Sequence, residues 1–136
     1  MKGFFKPKHL SKYKGNPTNI IYRSSLELKY MCKLDDDPKV LQWSSEEIWV
    51  PYHDKATNRH RRYFPDFWVR TSTDQFLVEI KPAVQCKAPT NKKRKTYLTE
   101  VRTYITNISK WEAARRFAKI RGMTFIIITD KDLMNL

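Results

Sequence analysis

Pro65-Asp66-Phe67-Trp68-Val69-Arg70-Thr71-Ser72-Thr73-Asp74-Gln75-Phe76-Leu77-Val78-Glu79-Ile80-Lys81 sets aromatic and β-branched residues on both sides of a Ser/Thr/Asp cluster. That pattern predicts two strands joined by a hairpin. Side chains of a strand alternate between faces, so Glu79 and Lys81 share a face and Ile80 points away. Folding about the midpoint between Ser72 and Thr73 sets Arg70 against Gln75 and Asp66 against Glu79. Directly opposed residues have Cβ atoms roughly 4.5–5.5 Å apart, and like charges so placed are destabilising. A divalent cation between the two carboxylates reverses that sign, and Mg²⁺ is commonly held by one or two carboxylates with phosphate oxygens and water. Lys81 lies one pleat repeat beyond Glu79, where an ammonium can orient an attacking water or offset charge on a phosphate. Register decides the matter: a slip of one residue separates the pair, and Ser-Thr is a weak turn signal. In that alternative the acids and the lysine are merely solvated on a surface hairpin.

The chain has 136 residues, the size of one domain able to bury its own core. Its 27 Lys and Arg against 14 Asp and Glu leave a formal charge of +13. Such an excess suits a polyanion, with nucleic acid as the first candidate. Charge alone fits RNA or an anionic membrane surface equally well. Cys32 and Cys86 form neither a paired metal spacing nor a disulfide framework, which is the usage of a reducing compartment. No apolar run approaches the roughly 20 residues of a membrane-spanning helix. The N-terminus lacks a signal peptide's apolar centre, so neither secretion by that route nor a membrane partner is expected.

Residues 1–22 form a basic arm with no acid before Glu27, expected to dock on the domain through Phe4, Phe5 and Tyr13. Ser24-Ser25-Leu26-Glu27 opens a helix running to about Leu34, which Asp35-Asp36-Asp37-Pro38 stops. Ser24 and Glu27 fit a capping box. Glu27 also falls within the stripe Arg23, Leu26, Glu27, Tyr30, Met31, Leu34, where an inward carboxylate needs a partner. The Asp35–Asp37 run is expected to be a solvated turn. Val40–Trp43 and Glu47–Tyr52 predict one interrupted strand or two short ones. His53 to Arg62 is expected to be a polar connection with exposed histidines, since no second ligand pair follows at zinc-finger spacing. After Lys81-Pro82, residues 83–96 make a basic mobile loop. From about Tyr97 to Arg121 apolar residues, Ile120 the last of them, keep helical spacing, with a break expected at Asn107-Ile108-Ser109 and Ser109 capping a second segment. Gly122 ends the helix. That break would put Lys110 near a helix N-terminus, a favourable place for phosphate. Thr124–Thr129 predicts a doubly buried strand with parallel pairing.

The order α-β-β-β-α-β, with helices flanking a mixed sheet, makes this an α/β domain. On these residues the chain resembles the PD-(D/E)xK nuclease superfamily, whose restriction-endonuclease-like core has that order. Pro65-Asp66 matches the PD element, Glu79-Ile80-Lys81 the ExK element, and Glu27 the acid that many members place on the first helix. Within the superfamily the chain is similar to the catalytic domain of the Tn7-type transposon endonuclease subunit. It is more similar still to the head-completion nucleases of T-even tailed bacteriophages. Tyr22 to Glu27, Tyr63 to Phe67, Glu79 to Pro82 and Asn107 to Trp111 carry that likeness, which spans nearly the whole chain.

The resemblance implies metal-dependent endonucleolytic hydrolysis of double-stranded or branched DNA during head completion, after packaging. It implies that Glu27, Asp66 and Glu79, with the Ile80 carbonyl, hold Mg²⁺ or Mn²⁺ while Lys81 positions water. Arg23, Lys92, Lys93, Arg94, Lys95 and Lys110 are the expected DNA contacts, made with strong salt dependence and little base readout. Head, portal or neck proteins are the implied partners, in the infected host cytoplasm and at the head–portal region of the virion. The alternative is a non-catalytic virion protein that binds DNA ends or the head connector and keeps a nuclease fold.

Overall fold

The computed structural model of the protein describes residues 1–134. In chain order its elements are β1 (Gly3–Phe4), β2 (Ile21–Tyr22), α1 (Ser25–Asp36), β3 (Val40–Ser45), β4 (Val50–Asp54) and β5 (Arg59–Tyr63). There follow β6 (Phe67–Thr71), β7 (Gln75–Ile80), α2 (Tyr97–Ile120), β8 (Thr124–Ile128) and α3 (Asp130–Leu133). The central sheet has the order β3-β6-β7-β8, antiparallel except for the parallel pair β7–β8. Counted on that sheet alone the order is α1, three strands, α2, one strand. The predicted connection from His53 to Arg62 is in fact most of a second ribbon, the antiparallel hairpin β4–β5. Among the described residues no helix is long and apolar enough to cross a membrane.

The period-two alternation of β6 and β7 divides the core between the two sheet faces. Phe67, Val69, Val78 and Ile80 face α1, α3 and the arm, together with Tyr30, Met31, Leu34, Trp43 and Leu133. Trp68 and Leu77 face α2 and the ribbon, together with Tyr52, Tyr63, Trp111, Ala114 and Ala118. β8 pairs in parallel as expected, but it is the edge strand: only Phe125 is buried, and its other residues are half-buried or exposed. The apolar run of β8 reflects one covered face, not two.

The arm docks, and an acid does much of the fastening. Phe5 and Tyr13 are buried, with Tyr13 edge-on to Trp43 at 4.8 Å between centroids, whereas Phe4 is exposed. Asp35 is only 2% exposed and accepts hydrogen bonds from the backbone N–H of Lys8 (2.8 Å) and His9 (3.3 Å). Lys12 Nζ donates to the carbonyls of Asp35 and Asp37 at 2.8 Å, satisfying the end of α1. The expected solvated turn is therefore a clasp, because a buried carboxylate requires such donors.

α2 is one unbroken helix. Ser109 does not cap a second segment; its hydroxyl donates to the Ile105 carbonyl at 2.9 Å and accepts from the Lys55 N–H at 3.2 Å. Thr106 donates to Asp54 in the same region, so the polar residues near the middle of α2 hold the ribbon. Ile120, assigned by spacing to the apolar face, is 81% exposed. Gly122, at φ 72°, closes α2: its N–H and that of Met123 return to the carbonyls of Lys119 and Ala118.

Candidate active site

The expected hairpin register is the observed one. Arg70 lies opposite Gln75 and Phe67 opposite Val78, so continuing one step sets Asp66 opposite Glu79. Both acids therefore belong to the face of Trp68 and Leu77, beneath α2 and the ribbon. Asp66 Oδ2 accepts the Ile80 N–H at 2.7 Å, and the Asp66 carbonyl accepts from the Glu46 N–H at 3.1 Å. Backbone bonds from two neighbouring strands thus fix Asp66 at the start of β6.

Glu79 is 7% exposed, and both its oxygens are occupied. Oε1 accepts from the Tyr63 hydroxyl at 2.6 Å, and Oε2 lies 3.4 Å from Lys81 Nζ. Lys81 is held by its own N–H, which donates to the Ile128 carbonyl and prolongs the β7–β8 pairing. Burial, then the Glu79 charge and hydrogen bond, push the Tyr63 hydroxyl far above its usual range, so it remains a donor. Burial, then the Glu79 charge, push the Asp66 carboxyl up to about 8, against the opposing bond from Ile80. One lysine does not offset two opposed carboxylates, and the Asp66 carboxyl therefore holds its proton more tightly than usual. This donor set fits a hard divalent cation, which would replace that proton and suit oxygen ligands.

Glu27 stands at the rim. Its charge adds to the field on Asp66, and its carboxylate receives the Ser24 hydroxyl at 3.1 Å, while Ser24 Oγ accepts the Glu27 N–H. The expected inward carboxylate is half-buried and has a hydroxyl partner. Among the described residues, the one group of three potential ligand residues drawn within 4.8 Å is His9, Asp35 and Asp36, not Glu27, Asp66 and Glu79. The arm clasp accounts for that group, since backbone N–H donors occupy Asp35 and Lys8 pairs with Asp36 at 3.9 Å. The structure thus brings Asp66, Glu79 and Lys81 together, with Glu27 near enough for its charge to act on Asp66. Ile80 lies between the acids, with its N–H committed to Asp66.

The expected DNA contacts separate into groups. Lys92, Lys93, Arg94 and Lys95 are exposed, and Arg94 pairs with Glu100 at 3.2 Å. Arg23 pairs with Glu46. Lys110 lies well inside α2 rather than at a helix start, so the dipole argument for it fails; its ammonium instead stands 5.6 Å from the centre of the Tyr63 ring. Tyr63 and Glu46 escaped sequence reasoning. The only signal for Tyr63 was its place two residues before Pro65-Asp66, and Glu46 gave none.

The family model described as TnsA-like endonuclease N terminal matches residues 37–130. The chain belongs to the TnsA-like endonuclease family. It is also 38% identical over 141 residues to the head completion nuclease of Enterobacteria phage T4, covering 98% of this chain and 94% of that protein. The TnsA-like endonuclease region runs from the end of α1 to the start of α3 and encloses Asp66, Glu79 and Lys81. Arg23, Glu27 and the docked arm precede it, within the part of the chain covered by the phage relative.

Proposed function

We propose that this protein is a divalent-metal-dependent DNA endonuclease of phage head completion, working in the infected cell. The observation that carries the reading is the pair of opposed carboxylates, Glu79 buried and Asp66 half-buried, with a lysine 3.4 Å from Glu79, inside a TnsA-like endonuclease region. Asp66 and Glu79 would hold Mg²⁺ or Mn²⁺, with the Ile80 carbonyl as a further ligand and Glu27 acting from the rim. The bound cation would polarise the phosphoryl group and ease deprotonation of water. Tyr63 fixes one Glu79 oxygen and turns the other toward Lys81. Lys81 orients the attacking water or offsets charge gathering on the phosphate oxygens. Arg23, Lys110 and the Lys92–Lys95 run supply cations for the backbone, which is binding without base readout. Head, portal or neck proteins are the proposed partners.

Purified protein should nick or cut supercoiled, nicked, linear or branched DNA with Mg²⁺, and EDTA should stop it. Lys81→Met should slow cleavage by roughly 100-fold or more, the scale of losing one charge-stabilising group. Cleavage that persists in EDTA, or that Lys81→Met leaves unchanged, would refute the assignment.

A further inference from the structure

Strand β5 reads Arg59-His60-Arg61-Arg62 before Tyr63, and all four are exposed. Cross-strand register separates their roles. Tyr52, Asp54 and Tyr63 face inward and are buried, and Arg61 reaches 3.6 Å from the nearly inaccessible Asp54, so Arg61 is a structural ion pair. The outer face carries Pro51 opposite Arg62 and His53 opposite His60, with the imidazoles 4.8 Å apart; Lys55, beyond them, pairs with Glu112 of α2 at 3.6 Å. No acid stands on that face. Arg62 lies 4.7 Å from the centre of the exposed Trp49 ring, whereas Arg59, opposite Asp54, shares the face of Arg61.

The ribbon is braced and aimed. Asp54 accepts from Thr106, and Ser109 accepts from the Lys55 N–H, so α2 holds β4 rigidly. β5 ends in Tyr63, whose hydroxyl donates to Glu79, and the chain reaches Asp66 three residues later. At about 3.3 Å per residue, His60 lies roughly 10 Å along the strand from Tyr63. That is no more than about three base steps at 3.4 Å each.

We propose that the outer face of the β4–β5 ribbon is a duplex-DNA contact surface, with Arg62, His60 and His53 binding phosphates that flank the cut. This rests on the endonuclease reading and adds a surface distinct from the Lys92–Lys95 run. A braced ribbon that ends on the site and carries no acid on its outer face is better placed for phosphates than for an apolar partner. The β4–β5 hairpin is also of a size to lie along the roughly 12 Å major groove.

The test measures duplex affinity against salt in EDTA, where no cleavage occurs, for wild type, Arg62→Gln and Lys33→Gln. The last removes the same charge from an exposed position of α1, across the sheet. The ribbon variant should flatten the slope of log affinity against log salt by about 0.9 for each phosphate it no longer neutralises, with the α1 variant close to wild type. Circular dichroism confirms folding. Equal weakening in both variants, or none in the ribbon variant, would overturn the proposal while leaving the endonuclease reading intact. A wild type that binds no duplex at low salt would remove both.

Discussion

Asp66→Asn should abolish detectable cleavage, a loss on the order of 10²–10³-fold or more, while making the metal-free protein more resistant to heat. The two effects share one cause. Asparagine keeps an oxygen that can accept the Ile80 N–H now bound by Asp66 at 2.7 Å, so the local backbone is preserved. What disappears is the second carboxylate, half-buried opposite Glu79, whose charge is the main one acting on Asp66. Without a cation that pair is a cost to folding, and sites tuned for function commonly sacrifice stability in this way. Activity assays paired with thermal melts in EDTA check it. Lost activity with a lower melting temperature would mark Asp66 as a structural residue. Retained activity would remove it from the site.

With metal limiting, cleavage should rise about tenfold per pH unit up to roughly pH 8 and then level, because cation binding must expel the Asp66 proton. Saturating metal should flatten the profile. The same group sets the pH dependence of stability without metal. The Asp66 carboxyl is raised from 3.8 in an ordinary setting to about 8 in the fold. Its contribution is therefore complete below about pH 4, falls as pH rises, and is gone by about pH 8. Melting temperatures in EDTA should decline between pH 5 and pH 8.5 in wild type, and that decline should be shallower in Asp66→Asn. Cleavage independent of pH at limiting metal, with matching melts for the two proteins, would contradict the assignment.

The hairpin was legible because its symmetry fixes the pairing: any loop centred between Ser72 and Thr73 opposes Asp66 to Glu79. The capping serine before α1, the parallel pairing of β8 and the glycine stop after α2 followed from equally local rules. The misses share a different origin. β5 shows no apolar alternation, because one inward position is an arginine serving Asp54 and the outward ones are basic. Asp35 sits in an acidic run before a proline, and its partners Lys8 and His9 are distant in sequence. Ser109 carries the signature of a cap but spends its hydroxyl within α2 and on the ribbon. The link from Tyr63 to Glu79 also needs the tertiary fold, since it joins two strands that are not neighbours in one sheet. Local pattern fixed the acids and their register; contacts between distant segments fixed what surrounds them.

On the proposed mechanism Asp66 and Glu79 together hold one hard cation. A titration of Mn²⁺ followed by electron paramagnetic resonance, without DNA, at pH 8, tests it directly on wild type, Asp66→Asn, Glu79→Gln and Asp35→Asn. Asp66→Asn and Glu79→Gln should each weaken binding by about tenfold or more, since each removes one of two carboxylate ligands, and Asp35→Asn should leave it unchanged. Binding that survives both of the first two substitutions, or that is lost only with Asp35→Asn, would contradict the claim.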